Sequence, residues 1–282
     1  MNLLLWTVHP TAAEHRAVIE QLRAWGYDGV EFPIASCTDD EIVELAKLGN
    51  DLGLARTAVQ GFDAAVADPT SADPKLRQGA VDALKRGIDK ASRLGCEILA
   101  GPMFQAQGRA FAEPPCADDW KRSVEVIREG AAHAAARGVR LALEPLYRFE
   151  MSLVNTLADA SRFCRNTQMP NVGLLADTHH SNIEEGDVAA AWRAAAAYIF
   201  HVHISENDRG VPGRGHAAGP EIFQTLVETG YDDWLTIEAF SGKVKPLVQR
   251  FRLWRPYFER EEDVAVEGLK FIRDNWSRAS GI

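Results

Sequence analysis

From Leu3 onward the sequence repeats one unit: a short apolar run, then a charged amphipathic stretch. The apolar runs are Leu3–Val8, Gly29–Pro33, Leu54–Val59, Glu97–Ala100, Arg140–Glu144, Val172–Asp177, Ile199–Ile204 and Trp234–Glu238. Each is short and mostly apolar, as a strand covered on both faces must be. Between them, apolar residues recur at three- and four-residue steps. In Asp118–Arg137 these are Trp120, Val124, Ile127, Ala131 and Ala134, with Asp118 placed to cap the start and Gly138 to end it. In Asp73–Leu94 they are Leu76, Ala80, Leu84, Ile88 and Ala91, with Pro74 at the first helical position and Gly95 as the stop. Strands separated by helices pair in parallel through right-handed crossovers. A doubly wound open sheet would carry a glycine-rich phosphate loop after its first strand, and His9-Pro10-Thr11 stands there instead. Eight such units predict an α/β fold, a single (β/α)8 TIM barrel, with its chemistry at the carboxyl ends of the strands.

Composition agrees and removes other classes. The 282 residues are close to the roughly 250 of a one-domain barrel, and no linker interrupts them, so residues 1–282 are expected to form one domain. Basic residues number 31 against 40 acidic, for a formal charge of −9, which speaks against a nucleic-acid or anionic-membrane partner. No apolar run approaches the roughly 20 residues of a membrane helix, and Met1–Val8 lacks the basic start and cleavage site of a signal peptide. Cys37, Cys96, Cys116 and Cys164 are scattered without a CxxC, which reads as reduced thiols in a cytoplasmic protein.

The last four expected strands each end on a side chain able to bind a metal: Glu144, Asp177, His203 and Glu238, spaced 33, 26 and 35 residues apart. Any one of them alone reads equally well as a polar residue where a strand meets its loop. Four in consecutive units converge on one rim, where three carboxylates would repel one another and raise one another's pKa unless a cation neutralised them. Three oxygen donors and one imidazole suit Mn²⁺, Mg²⁺ or Co²⁺ better than structural zinc. His201 shares the strand face of His203 one layer deeper and reads as a core histidine or a group behind the ligands. One of His179 and His180 is expected to turn toward the mouth. Glu31 is open between a partner behind the mouth residues and a rim salt bridge, and His9-Pro10 reads as a wall of the pocket.

At these residues the chain resembles the ketose 3-epimerases, the D-tagatose 3-epimerase and D-psicose (D-allulose) 3-epimerase group of the xylose isomerase-like TIM barrels. The resemblance is densest in LALEPLYRFE (141–150), LLADTHHSNIEE (174–185), FHVHISENDRGVPGRGH (200–216) and LTIEAF (235–240). It implies that Glu144, Asp177, His203 and Glu238 bind the metal, Mn²⁺ first and Co²⁺ or Mg²⁺ next. Glu144 and Glu238 would be the acid/base pair. Glu150, His180 and Arg209 would hold the O1–O2 end of a ketose, with Glu206 in the same loop block. It further implies a homo-oligomer, dimer or tetramer, with the aromatic Phe251–Phe258 segment as a candidate contact. The chain departs from the family at Trp6-Thr7, at Tyr147 before Arg-Phe-Glu and in the Phe62–Asp73 loop, positions expected near the far end of the sugar.

Neighbouring reactions on the same barrel are the alternatives: aldose–ketose isomerisation of the hydroxypyruvate isomerase kind, or dehydration of an inosose. An endonuclease for abasic DNA needs more histidines at other strand ends, and a non-catalytic sugar-binding barrel would not need both glutamates. The basic and aromatic Phe240–Arg260 stretch suggests a nucleic-acid stripe or phosphate clamp, but a loop packed over the barrel rim or into a subunit contact fits the acidic chain better. Gly213-Arg214-Gly215 has no phosphate-loop spacing and reads as a turn.

Overall fold

The computed structural model describes residues 1–107 and 113–281. Its core is one parallel sheet whose strands lie side by side in chain order: β1 (Gly29–Pro33), β2 (Ala55–Val59), β3 (Ile98–Gly101), β4 (Arg140–Leu143), β5 (Val172–Asp177), β6 (Ile199–Ile204) and β7 (Leu235–Ile237). Helices alternate with them: α1 (Ala12–Trp25), α2 (Asp39–Leu52), α3 (Pro74–Leu94), α4 (Ala117–Ala135), α5 (Leu157–Thr167), α6 (Thr178–Glu184), α7 (Val188–Ala195), α8 (Pro220–Glu228), α9 (Lys245–Arg250) and α10 (Glu261–Ser280). Strand-to-helix apolar packing forms the main core, from Leu3 and Phe32 through Phe104, Phe163 and Trp192 to Phe223.

The expected first strand, Leu3–Val8, is not a strand. Leu3–Leu5 is a turn of 3₁₀ helix. Asn2 starts it, because its Oδ1 accepts from the Leu4 amide at 2.9 Å. Leu3 and Leu5 are nevertheless fully buried, so the apolar run was read correctly as core and wrongly as extended. Closure of the ring falls to two residues before it. The Asn2 amide donates to Ile237 O at 3.0 Å, and the Glu31 amide donates to Met1 O at 2.9 Å. The sheet is thus nearly closed into a barrel by Met1–Asn2 seated between β7 and β1.

Helix ends follow the sequence with one exception. Asp73 caps α3 by accepting from the Lys75 amide, Pro74 is the first helical residue, and Gly95 ends the helix at φ +79°. At α4 the cap is Cys116, not Asp118, and the Asp119 carboxylate reaches back 2.8 Å to the Cys116 amide. In the sheet, β5 and β6 shift register between Leu174 and Leu175. Beyond that bulge Asp177 pairs with His203, and His203 with Thr236. Side chains from three strands therefore share one layer. Two residues lower on the same strand faces, Ala142 and Leu175 belong to a small apolar cluster with Ile98 and Ala100 that plugs the barrel beneath that layer.

Candidate active site

Glu144 follows β4 directly, and its amide donates to Gly101 O at 2.9 Å. Gly101 itself sits at φ +128° and lets the end of β2 pack against it, since a Cβ there would lie 2.2 Å from Gln60 O. Asp177 ends β5 and caps α6, its Oδ1 accepting from the His179 amide at 2.6 Å. Its Oδ2 accepts from Ser205 Oγ at 3.0 Å and Arg209 Nη1 at 3.1 Å. His203 lies on β6 and Glu238 just past β7. One ligand atom from each of Glu144, Asp177, His203 and Glu238 falls within 4.8 Å of all the others, and all four residues are buried.

Two atoms of this cluster lack any hydrogen-bond partner: Glu144 Oε1 and His203 Nδ1. They lie 3.9 Å apart, and Nδ1 is 3.8 Å from Asp177 Oδ2 and 3.6 Å from Glu238 Oε1. These separations are too long for hydrogen bonds, while buried polar atoms are rarely left unsatisfied. A bare nitrogen and a bare oxygen facing two further carboxylates in one buried space suit a divalent cation, so the chain carries a candidate metal site.

Electrostatics separate the two glutamates. Burial, then the Glu238 charge, raises Glu144 well above the ordinary carboxylate range. Burial acts on Glu238 in the same sense, but His203 and Arg209 outweigh it and hold that carboxyl below its ordinary value. Arg209 Nη1 lies 3.0 Å from Glu238 Oε2. Without a cation, the two carboxyls thus differ in proton affinity although they share one buried space.

The His180 ring, not His179, faces the cavity. Because α6 starts immediately at Asp177, His179 is turned back to Glu206 O at 2.9 Å, and burial with Arg209 nearby lowers its pKa to about 3. Burial and Arg209 likewise keep His180 neutral. The Tyr147 amide lies 3.1 Å from His180 Nδ1, and a neutral imidazole accepts at only one of its two nitrogens. Nε2 is 2.9 Å from Arg209 Nη2. That is hydrogen-bond distance, so Arg209 and His180 are held together at the cavity wall.

A cavity of about 190 Å³ opens above these groups, lined among others by Glu144, Glu150, His180, Arg209, Glu238 and Gln60. Burial raises Glu150 above the ordinary carboxylate range against the pull of Arg209. Leu247, Arg250 and Phe251 also line it, so the Phe240–Arg260 stretch folds over the rim, with Phe251 stacked on Phe240 at 4.1 Å. Trp254 points out, 66% exposed. A cavity of about 460 Å³ lies at the opposite end of the strands, between Gly29, Ala55, Trp234 and α10.

Other residues are placed differently from the sequence reading. Glu206 is absent from the cavity lining: its carboxylate accepts from the amides of Gly213 at 2.8 Å and Ala217 at 3.1 Å, and its carbonyl accepts from the Arg209 amide at 3.0 Å. It shapes the loop that presents Arg209, which holds φ +61°. His9 is bound to Ser36 and Glu41, away from the cavity. Glu31 is no rim residue but is 1% exposed beneath the cluster, with Nε2 of both His201 and His203 at 2.7 Å. Burial opposes its charge, yet the two histidines hold its pKa well below the ordinary range. Asn2 was missed altogether: its Nδ2 lies 2.9 Å from Glu31 Oε1 and 3.1 Å from Glu238 Oε1. Its signal was a polar amide at the edge of an apolar run. Gln60 follows β2 as Glu144 follows β4, the same signal in a unit where it was not sought. Of the departures noted, Trp6-Thr7 and the Phe62–Asp73 loop do not reach the cavity wall beyond Phe62's neighbour Gly61, whereas Tyr147 stacks on His180 at 5.1 Å.

The chain belongs to the xylose isomerase-like TIM barrel family, whose model matches residues 19–275. Ketose 3-epimerases are among its relatives there. An L-ribulose 3-epimerase of Mesorhizobium japonicum is 34% identical over 96% of this chain and 92% of its own. A solved L-ribulose 3-epimerase structure superposes with a TM-score of 0.92 at 33% identity, covering 99% of this chain and 94% of that one. A D-allulose 3-epimerase from Methylomonas sp., solved in complex with D-allulose, gives a TM-score of 0.90 at 28% identity over 97% and 95% of the two chains. Among the described residues no helix is long and apolar enough to cross a membrane, and the four cysteines are free.

Proposed function

We propose that the protein is a metal-dependent ketose 3-epimerase, inverting C3 of a free ketose of the ribulose, psicose or tagatose type by two-glutamate proton transfer through a cis-enediolate. The observation that carries this reading is the buried cluster of Glu144, Asp177, His203 and Glu238, with Glu144 Oε1 and His203 Nδ1 unpartnered and both glutamates lining the cavity above it. A divalent cation held by Glu144, Asp177, His203 and Glu238, Mn²⁺ first and Co²⁺ or Mg²⁺ next, would polarise the C2 carbonyl and make the C3 proton removable. Glu144 and Glu238, on opposite faces of the planar intermediate, act in turn: one takes that proton and the other returns one exchanged with solvent to the opposite face. His180 and the Arg209 guanidinium hold the C2 oxygen as charge develops on it, and Glu150 accepts from the C1 end. Glu206 fixes the Arg209 loop from behind. The same barrel, residues 1–282, would work as one domain in a reducing cytoplasm, in a dimer or tetramer for which exposed Trp254 offers apolar surface.

The test is a ketose panel, tetruloses to hexuloses, incubated with Mn²⁺-loaded protein in D₂O. Deuterium at C3 with inversion is the expected result. Deuterium at C1 with aldose formation would instead establish isomerisation, and loss of water would establish dehydration.

Two further results are expected. Glu144 holds its proton because its pKa is raised. His203 does too: burial opposes its charge, but Glu31 and Glu238 outweigh it. A cation must displace both protons, so affinity for Mn²⁺ should rise with pH until those raised pKa values are passed. Calorimetry in buffers of different ionisation enthalpy should show net proton release at neutral pH; uptake would contradict it. Arg209→Ala removes the cation 3.0 Å from Glu238 and 3.1 Å from Asp177. It should lower kcat/KM about 100-fold while Mn²⁺ is held at least as tightly, measured by steady-state kinetics and metal titration.

A further inference from the structure

Glu31 occupies a position the proposed proton chemistry does not use. It sits on β1, one layer under the metal cluster, and all four approaches to its carboxylate are filled. Oε1 accepts from Asn2 Nδ2 at 2.9 Å and from His203 Nε2 at 2.7 Å. Oε2 accepts from Thr57 Oγ1 at 2.9 Å, and His201 Nε2 lies 2.7 Å from it. Burying a carboxylate is strongly unfavourable unless it is paired and hydrogen-bonded, and a barrel interior can be filled with apolar side chains at no such penalty. What these contacts achieve is directional. With Nε2–H committed to Glu31, His203 Nδ1 faces Glu144, Asp177 and Glu238 with no other partner, and it becomes the ligand atom once a cation displaces its proton. Asn2 carries the same constraint sideways, because its second amide contact, 3.1 Å, is Glu238 Oε1.

We infer that Glu31 is the positioning residue of the site: it fixes the ring and tautomer of the metal ligand His203 and, through Asn2, the carboxylate of Glu238. This rests on the reading of the cluster as a divalent-cation site. Histidine ligands whose outer nitrogen loses its carboxylate partner bind metal about 10–100-fold more weakly. Glu31→Gln keeps the shape but removes the negative charge 2.7 Å from His203 Nε2, so the ring loses the anion that commits its proton. Thr57→Val is the control, since it removes one donor from Oε2 and leaves the Oε1 side intact.

The experiment measures Mn²⁺ affinity of the metal-free proteins by calorimetry, beside their melting temperatures. Expected is a 10–100-fold loss in Glu31→Gln and less than about threefold in Thr57→Val, whatever each does to melting. Wild-type affinity in Glu31→Gln, or equal losses in both variants, overturns the inference and leaves a merely structural carboxylate. Wild-type protein that binds no Mn²⁺ overturns the metal reading itself. Should Glu31→Gln not fold, ¹⁵N-histidine spectra of the wild-type protein with Mg²⁺ decide the matter. A strongly hydrogen-bonded Nε2–H on His203 with Nδ1 shifted by Mg²⁺ supports the assignment; a proton on Nδ1 refutes it.

Discussion

Glu238→Gln and Glu144→Gln are each expected to lower C3 epimerisation by at least about 10³-fold, the upper range of a lost acid or base, and to differ in what survives. In the proposed mechanism each glutamate faces one side of the planar intermediate, so removing one leaves the other able to take a proton from its own face and return solvent deuterium there. In D₂O, Glu238→Gln should label one C3 epimer without inverting it, and Glu144→Gln should label only the other. Stability should diverge too. Glu144 is already protonated in the metal-free protein, so a neutral amide there changes little. Glu238 is an anion that accepts from Arg209 and Asn2, and its replacement should cost about 1–3 kcal/mol, read by thermal melting after metal removal. If both variants label the same epimer, or either inverts at a near-native rate, a single base does the work and the scheme fails.

How far the sequence reached depended on the range of the physics involved. Glu144, Asp177, His203 and Glu238 were legible because a strand alternates with period two and a polar residue ending an apolar run must face the mouth. Their mutual placement then followed from barrel closure. Leu3–Leu5 was misread because an apolar run of that length is equally compatible with extended and helical backbone. A single local bond, Asn2 Oδ1 to the Leu4 amide, made the choice. The choice between His179 and His180 hinged on where α6 begins, which Asp177 sets by capping it. Glu206 is a candidate only through the resemblance, as part of the loop block that holds Arg209, and its carboxylate's partners are backbone amides, which no side-chain pattern displays. The Asn2–Glu31–His203 network joins residues 29 and 172 positions apart. Only the closed barrel brings them together, so Glu31 could be named from sequence but not placed.

Removal of metal by a chelator should abolish turnover, by more than about 10³-fold given the several kcal/mol a cation supplies at a developing oxyanion, and yet leave the barrel folded. Repulsion among Glu144, Asp177 and Glu238 would by itself argue for collapse of the site. Three features of the chain offset it: Glu144 takes up a proton, His203 is held protonated against its burial by Glu31 and Glu238, and Arg209 lies between Asp177 and Glu238. Two carboxylates at the rim, with Glu31 beneath, therefore face two cations. Far-UV circular dichroism should be unchanged by chelation. Melting should fall only by the binding free energy, about 2.7 kcal/mol for metal at 100 times its Kd, or roughly 5 °C for a chain of this length. Activity should return on addition of Mn²⁺, with Co²⁺ and Mg²⁺ giving different fractions, since donors and cavity are preserved. Full turnover after exhaustive chelation, with residual metal excluded by elemental analysis, would remove the cation from the mechanism. Unfolding on chelation would show instead that Arg209 and the displaced protons do not suffice to hold the carboxylates together.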